Sequence, residues 1–219
     1  MRKFKAAIFD MDGTLLDTMY IWRHLAPEYL KRNNVTVPDD LNDQLAFMGV
    51  ARAADFLIEK FNLNVSKENL YNEIIDILTD YYRKEANFKP GAEKFLQTLR
   101  DRNIPTMAFS ATSEDLLDLT LKRLDGSKYF SHGLLSVSSI KFAKNQPEAF
   151  YIAAERIGFP VDEVMIFEDA HYAASTAKAA GFAVTIMADK EEHRTQEMRE
   201  LADFYIEKNW NEFPINHFF

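Results

Sequence analysis

Three short apolar runs, far apart in the chain, each end on a polar or acidic residue. Residues 5–9 run into Asp10, residues 106–109 into Ser110, and residues 164–167 into Glu168-Asp169. Runs of this length, bounded by turn residues, fit buried strands. Residues 182–187 and 203–206 read as two more. The spacing between them predicts helices. One covers 91–101 with Phe95, Leu96 and Leu99 inward. A second is capped by Ser113 and carries Leu116, Leu117, Thr120, Leu121 and Leu124. A third covers 147–157 and stops at Gly158; a fourth covers 171–180 and stops at Gly181. Strands alternating with helices imply a parallel sheet covered on both faces. Ligands bind beyond the carboxyl ends of such strands, so Asp10, Ser110 and Glu168-Asp169 are expected to meet at one edge.

The segment after the first strand is different. Leu25, Tyr29 and Leu30 fit one helix face; so do Phe56, Leu57 and Phe61, and so do Ile74, Ile77, Leu78 and Tyr81. Residues 35–38 and 63–66 read as loops, with Ser66 as an N-cap. Pro90-Gly91 marks the return to alternation. The expected fold is therefore α/β: a Rossmann-like parallel sheet core with helices on both faces and an inserted helical cap. Residues 1–17 and 89–219 form the core, and residues 18–88 the cap. A chain of 219 residues, against about 150 per domain, suits one domain with an insertion.

Composition narrows the chemistry. Hydrophobic residues make up 47%, which excludes wholesale disorder. With 26 Lys and Arg against 34 Asp and Glu, the net charge is -8, so a nucleic-acid partner is not expected. A small phosphorylated ligand, needing only a few local cations, is compatible with that charge. No apolar run is long enough to span a membrane. The absence of cysteine removes disulfides, thiolate catalysis and Cys-ligated zinc. The N-terminus lacks the apolar run of a secretory signal, so the expected location is cytoplasmic. Oligomeric state is not legible, and a monomer is the default.

Asp10-Met11-Asp12-Gly13-Thr14 sets two carboxylates two residues apart after a strand. Alone, the pattern also fits a solvated loop or an Asx turn. As chemistry, a carboxylate is ionised at neutral pH and can attack phosphorus without a general base. A neighbouring acid in a crowded field can keep its proton. Glu168-Asp169 alone would serve as well to cap a helix as to bind metal. Four acids at one edge, however, repel unless a cation sits among them, and oxygen-only donors point to Mg²⁺. Ser110 alone is an ordinary strand-end serine, and Lys144 alone an ordinary surface lysine. Within the constellation, Ser110 would donate to a phosphoryl oxygen and Lys144 would offset its charge.

These residues together resemble the haloacid dehalogenase-like hydrolase superfamily, in its helical-cap branch near β-phosphoglucomutase and related phosphatases. Phe9-Asp10-Met11-Asp12-Gly13-Thr14-Leu15-Leu16-Asp17 is similar to the first family motif, and Phe109-Ser110-Ala111 to the second. Lys144-Asn145-Gln146-Pro147-Glu148-Ala149-Phe150 resembles the third with Asn145 in place of a proline. Phe167-Glu168-Asp169, before a small-residue helix, resembles the fourth, with Ala170 where the family usually has Ser or Thr and Ala173 where it has Gly. The resemblance implies Asp10 as nucleophile and metal ligand. It implies Asp12 as general acid and then base, binding metal through its backbone carbonyl. Asp169 would be the third metal ligand, with Glu168 in the outer shell. The second acid, Asp12, argues for phosphoryl transfer over dehalogenation.

In the cap, Met48-Gly49-Val50-Ala51-Arg52 is similar to a loop that sends an Arg into the active site of the mutase branch. Arg52 fits that role and a solvent-facing helix start equally. The mutase branch has a His where this chain has Trp22, and His24 lies about 200° further round a helix. The expected function is a Mg²⁺-dependent phosphatase acting on a small phosphorylated metabolite through an aspartyl-phosphate. A sugar-phosphate mutase and a non-catalytic, ligand-sensing relative are the alternatives.

Overall fold

A computed structural model describes residues 3–46, 48–189 and 194–219. The chain separates into two compact units, one of Met1–Asp17 with Asn87–Phe219, the other of Thr18–Ala86. Asn87 and Phe88, grouped with the insertion on sequence, belong to the larger unit. There the Asp17 N–H donates to the Asn87 carbonyl at 2.9 Å, and Leu16 bridges Phe88.

The larger unit opens with β1 (Ala6–Phe9). The smaller unit then contributes α1 (Met19–Arg32), α2 (Leu41–Leu45), α3 (Val50–Phe61) and α4 (Lys67–Lys84). The larger unit resumes with α5 (Ala92–Asp101), β2 (Thr106–Ser110), α6 (Glu114–Arg123), β3 (Leu134–Ser136), α7 (Pro147–Ile157) and β4 (Val164–Glu168). It ends with α8 (His171–Ala179), β5 (Ala183–Met187), α9 (Thr195–Leu201), β6 (Phe204–Ile206) and α10 (Ile215–Phe218). The six strands pair in parallel in the order β3-β2-β1-β4-β5-β6.

Alternation along each strand divides the core into two layers. Ala6 and Ile8, Met107 and Phe109, and Val164 and Ile166 join Phe150, Ala153 and Ile157 of α7 and Ala173, Ala174 and Ala177 of α8. Phe9 and Phe167 turn the other way and stack at 4.5 Å. Phe95 of α5 meets Phe9 edge-on at 6.0 Å, and Trp210 stacks on Phe95 at 4.8 Å. Both faces of the sheet are thus covered by apolar side chains, as a parallel sheet requires.

β3 was not foreseen. It is only three residues long, and Ser136 with the following Val137-Ser138-Ser139 dilutes its apolar signal. α9 and α10, at seven and four residues, are too short to show a period. Ser113 precedes α6 in extended backbone but makes no cap bond through its side chain.

In the smaller unit Leu30, Leu41, Ala54, Leu57, Leu70, Ile74, Leu78 and Tyr82 are buried. Ser66 caps α4 by accepting from the Asn69 N–H at 3.1 Å. The Trp22 indole donates to the Tyr82 hydroxyl at 2.9 Å, tying α1 to α4. Among the described residues no helix is long and apolar enough to cross a membrane.

Phe150 tests the α7 layer. It is fully buried and meets Phe109 edge-on at 5.5 Å. Phe150→Ala should lower stability by about 3–5 kcal/mol, from lost burial plus the cavity. Urea unfolding followed by circular dichroism measures it; a loss under about 1 kcal/mol would mean that the layer collapses into the space.

Candidate active site

The order of strands reverses at β1. The chain lays β2 and β3 on one side of it, then β4, β5 and β6 on the other. Side chains leaving the carboxyl ends of β2, β1 and β4 are therefore neighbours at a topological switch point. Asp10 follows β1, Ser110 ends β2, and Glu168 ends β4 with Asp169 next. The Asp10 N–H donates to the Phe167 carbonyl at 2.9 Å, so the first acid is registered against the strand that delivers the others.

A tight turn follows Asp10. Gly13 has φ +85°, which a side chain at that position would resist. The Gly13 N–H donates to the Leu16 carbonyl at 2.9 Å, and those of Leu15 and Leu16 to the Met11 carbonyl at 3.0 and 2.7 Å. Asp12 sits half-buried within this turn.

Lys144 arrives from the loop before α7. Its Nζ lies 2.6 Å from Asp10 Oδ1 and 2.6 Å from Glu168 Oε1, with the lysine side chain 3% exposed. The ammonium also sits 4.9 Å from the centre of the Phe109 ring. Burial alone would lower the Lys144 pKa, but Asp10 and Glu168 outweigh it and raise it. The turn carrying Lys144 closes through Gln146. Its side-chain oxygen accepts from the Ala143 N–H at 3.2 Å, and its own N–H donates to the Ala143 carbonyl at 2.9 Å. That closure stands where Asn145 replaces the family's proline.

Glu168 is engaged on both oxygens. Oε1 meets Lys144, while Oε2 accepts from the Asp169 and Ala170 N–H groups at 3.3 and 3.5 Å. Asp169 accepts from the Thr14 hydroxyl at 3.1 Å. Sequence assigns Thr14 no role, because a threonine in a turn carries no signal for a partner 155 residues away. Burial first, then the Glu168 charge, raise the Asp169 pKa to about 7; Asp189 adds to this, and Lys89 and the Thr14 bond oppose it. Burial raises Asp10 well above the ordinary carboxylate range. Lys144 opposes that shift, and Glu168, Asp169 and Asp12 add to it. Ser110 is 1% exposed, and its hydroxyl oxygen accepts from the Thr112 N–H at 3.1 Å.

One oxygen each of Asp10, Glu168 and Asp169 lie within 4.8 Å of one another, all three residues buried. Lys144 contacts two of the three carboxylates and Lys89 opposes the rise at Asp169, yet the pKa values of Asp10 and Asp169 both stay raised. An all-oxygen donor set suits a hard divalent cation. Glu168 belongs to this cluster, and the Asp12 carboxylate does not. Arg52 lies exposed in the first turn of α3, within the smaller unit.

A haloacid dehalogenase-like hydrolase family model matches residues 4–181. "Probable pseudouridine-5'-phosphatase" of Drosophila melanogaster is 28% identical over 219 residues, covering 95% of this chain and 94% of that protein. "Phosphorylated carbohydrates phosphatase" of Thermotoga maritima is 28% identical over 182 residues, covering 81% and 82%. Among solved structures, β-phosphoglucomutase of Clostridium difficile superposes with a TM-score of 0.72 at 21% identity, covering 98% of this chain and 95% of that one. That last likeness shows the fold alone. Acids gathered at a sheet's switch point, within motifs matched over most of the chain, settle the relationship: the chain belongs to the haloacid dehalogenase-like hydrolase family, as an enzyme of its phosphatase group.

Proposed function

We propose that the protein is a cytoplasmic Mg²⁺-dependent phosphatase that hydrolyses a small phosphorylated metabolite through an aspartyl-phosphate on Asp10. The observation that carries the reading is the buried Lys144 ammonium held between Asp10 and Glu168. It opposes the rise in the Asp10 pKa that burial causes, and it takes Oδ1. The reading gives attack on phosphorus to Oδ2. Asp12, two residues on, protonates the leaving oxygen and then draws the proton from the water that cleaves the acyl phosphate. Ser110 donates its hydroxyl to a phosphoryl oxygen. Asp10, the Asp12 backbone carbonyl and Asp169 would hold Mg²⁺, with Glu168 beside them. When bound, the ion offsets the charge of the carboxylates and of the phosphoryl group.

Trp22 weighs against the mutase alternative. Its indole is spent on the Tyr82 hydroxyl, where the mutase branch has a titratable His. The names of the two curated relatives make pseudouridine 5'-phosphate and phosphorylated carbohydrates the first compounds to test. A panel of metabolite phosphates should release phosphate with Mg²⁺ and stop doing so with EDTA. Asp10→Asn should lose turnover on the order of 10⁴-fold or more while keeping its fold. A silent panel, or an active Asp10→Asn, would end the proposal.

Stability should report the cation as well. The Asp169 pKa is raised in the folded state to about 7, and that of Asp10 is also raised. The metal-free folded protein then binds more protons than the unfolded chain. The associated stability is complete below about pH 4 and is lost as pH rises through about 7. Mg²⁺ should restore it. The rise in melting temperature on replacing EDTA with Mg²⁺ should therefore be larger at pH 8 than at pH 5.5. A difference of about 2–4 °C is expected, the scale of 1 kcal/mol in a protein this size. Equal shifts at both pH values would refute the assignment.

Arg52 is proposed as the cap's substrate contact, since its planar fork offers several donors. Arg52→Ala should lower kcat/KM for the best metabolite by about 10–100-fold, the scale of one charge-assisted hydrogen bond. It should leave an aryl phosphate, which offers nothing remote to grip, nearly unchanged. Equal losses on both would assign Arg52 to cap stability, and no loss on either would return it to the surface.

A further inference from the structure

The family match ends at residue 181, yet the segment beyond it reaches under the acidic cluster. Trp210 is 1% exposed, in a short 3-10 turn, Trp210–Glu212. Its indole N–H donates to the Thr14 carbonyl at 3.2 Å, a buried bond across 196 residues. Its backbone N–H donates to the Pro90 carbonyl at 3.1 Å. Thr14 and Pro90 lie just inside the two chain crossings at which the helical insertion leaves and rejoins the larger unit. One residue thus fixes both crossings, and the Lys89 N–H donating to the Leu15 carbonyl at 2.8 Å ties the two to each other.

The turn that presents Trp210 is itself held. Glu212 accepts from the Glu207 N–H at 2.8 Å, and Asn209 Oδ1 accepts from the Asn211 N–H at 3.0 Å. A Cβ on Gly91, which has φ +84°, would come within 3.1 Å of the Asn211 side chain, so the approach is close. The indole packs against both Phe95 at 4.8 Å and Phe167 at 5.4 Å, which leaves it little freedom to turn. Thr14 is equally buried, and its hydroxyl donates to Asp169. With its carbonyl and its hydroxyl both engaged, Thr14 is held through both its backbone and its side chain.

We propose that Trp210 is a positioning residue for the acidic cluster, acting through Thr14 on Asp169. The inference rests on the reading of Asp169 as a Mg²⁺ ligand. Groups one bond out from a ligand typically change metal affinity by about 10–100-fold, and Trp210 stands one link further. Trp210→Phe removes the donor and keeps an aromatic ring. Mg²⁺ binding, measured by calorimetry on the metal-free protein, should weaken by about 3–10-fold, with KM for substrate little changed. Thr14→Val should weaken it more, and the double variant should be no weaker than Thr14→Val alone, since both cut one chain of bonds. Replacing Trp210 by 3-benzothienylalanine keeps the bicyclic shape and removes only the N–H, so it serves if the Phe variant fails to fold. A wild-type protein that bound no Mg²⁺ would overturn the cation site and this inference together. Wild-type binding with an unaltered benzothienyl variant, or additive losses in the double variant, would overturn the positioning role alone.

Discussion

A single buried ammonium lets the edge of this sheet exist. Asp10, Glu168 and Asp169 are each less than a tenth exposed, and an uncompensated charge in such a place costs several kcal/mol. Lys144 bonds two of the three, one at the end of β1 and one at the end of β4. It therefore links the central strand pair electrostatically where the ladder of backbone bonds runs out. The third carboxylate accepts from the Thr14 hydroxyl and faces the Lys89 charge, while burial first, and then the Glu168 charge, raise its pKa. The arrangement is an all-oxygen donor set of the kind that suits a hard divalent cation.

That edge needs a rigid floor. Phe9 and Phe167, immediately before Asp10 and Glu168, stack at 4.5 Å on the face away from α7 and α8. Side chains alternate along a strand, so these rings take one face and the acids emerge at the edge. Phe95, Trp210 and Phe213 complete the aromatic layer, at 5.7, 5.4 and 5.3 Å from Phe167. Rings of this size have few rotamers and dense neighbours, so the carboxylates start from fixed Cα positions.

Much of this could be read from the chain. Each site-bearing strand is an apolar run that ends on the residue of interest, so Asp10, Ser110 and Glu168-Asp169 were visible where strand register placed them. Lys144 was legible only through its motif, because nothing in a loop lysine's neighbours in sequence says that it will be buried. Other features were silent for physical reasons. β3 is too short for alternation to show, and its buried Ser136, which pairs beside Ser110, is polar. Thr14 and Trp210 matter through bonds spanning 155 and 196 residues, and no local pattern encodes such a distance. Whether Glu168 or Asp12 turns its carboxylate into the three-acid cluster depends on side-chain geometry that spacing does not fix.

The departures from the family pattern bear on whether the chain has given up catalysis. Ala170 lacks a hydroxyl, but its N–H still donates to Glu168. Ala173 is fully buried among the small residues of α8, where its methyl group joins the core. Asn145 loses a proline's rigidity, yet the Gln146 side chain closes the same turn. None of the three changes the charges at the sheet edge. A protein with no use for a cation or a phosphoryl group would be relieved of a standing cost by apolar replacements, since buried ion pairs exchanged for well-packed hydrophobic residues are often neutral or stabilising by about 1–4 kcal/mol. The retained carboxylates therefore favour a chain that binds a cation or a phosphoryl group over one that binds neither.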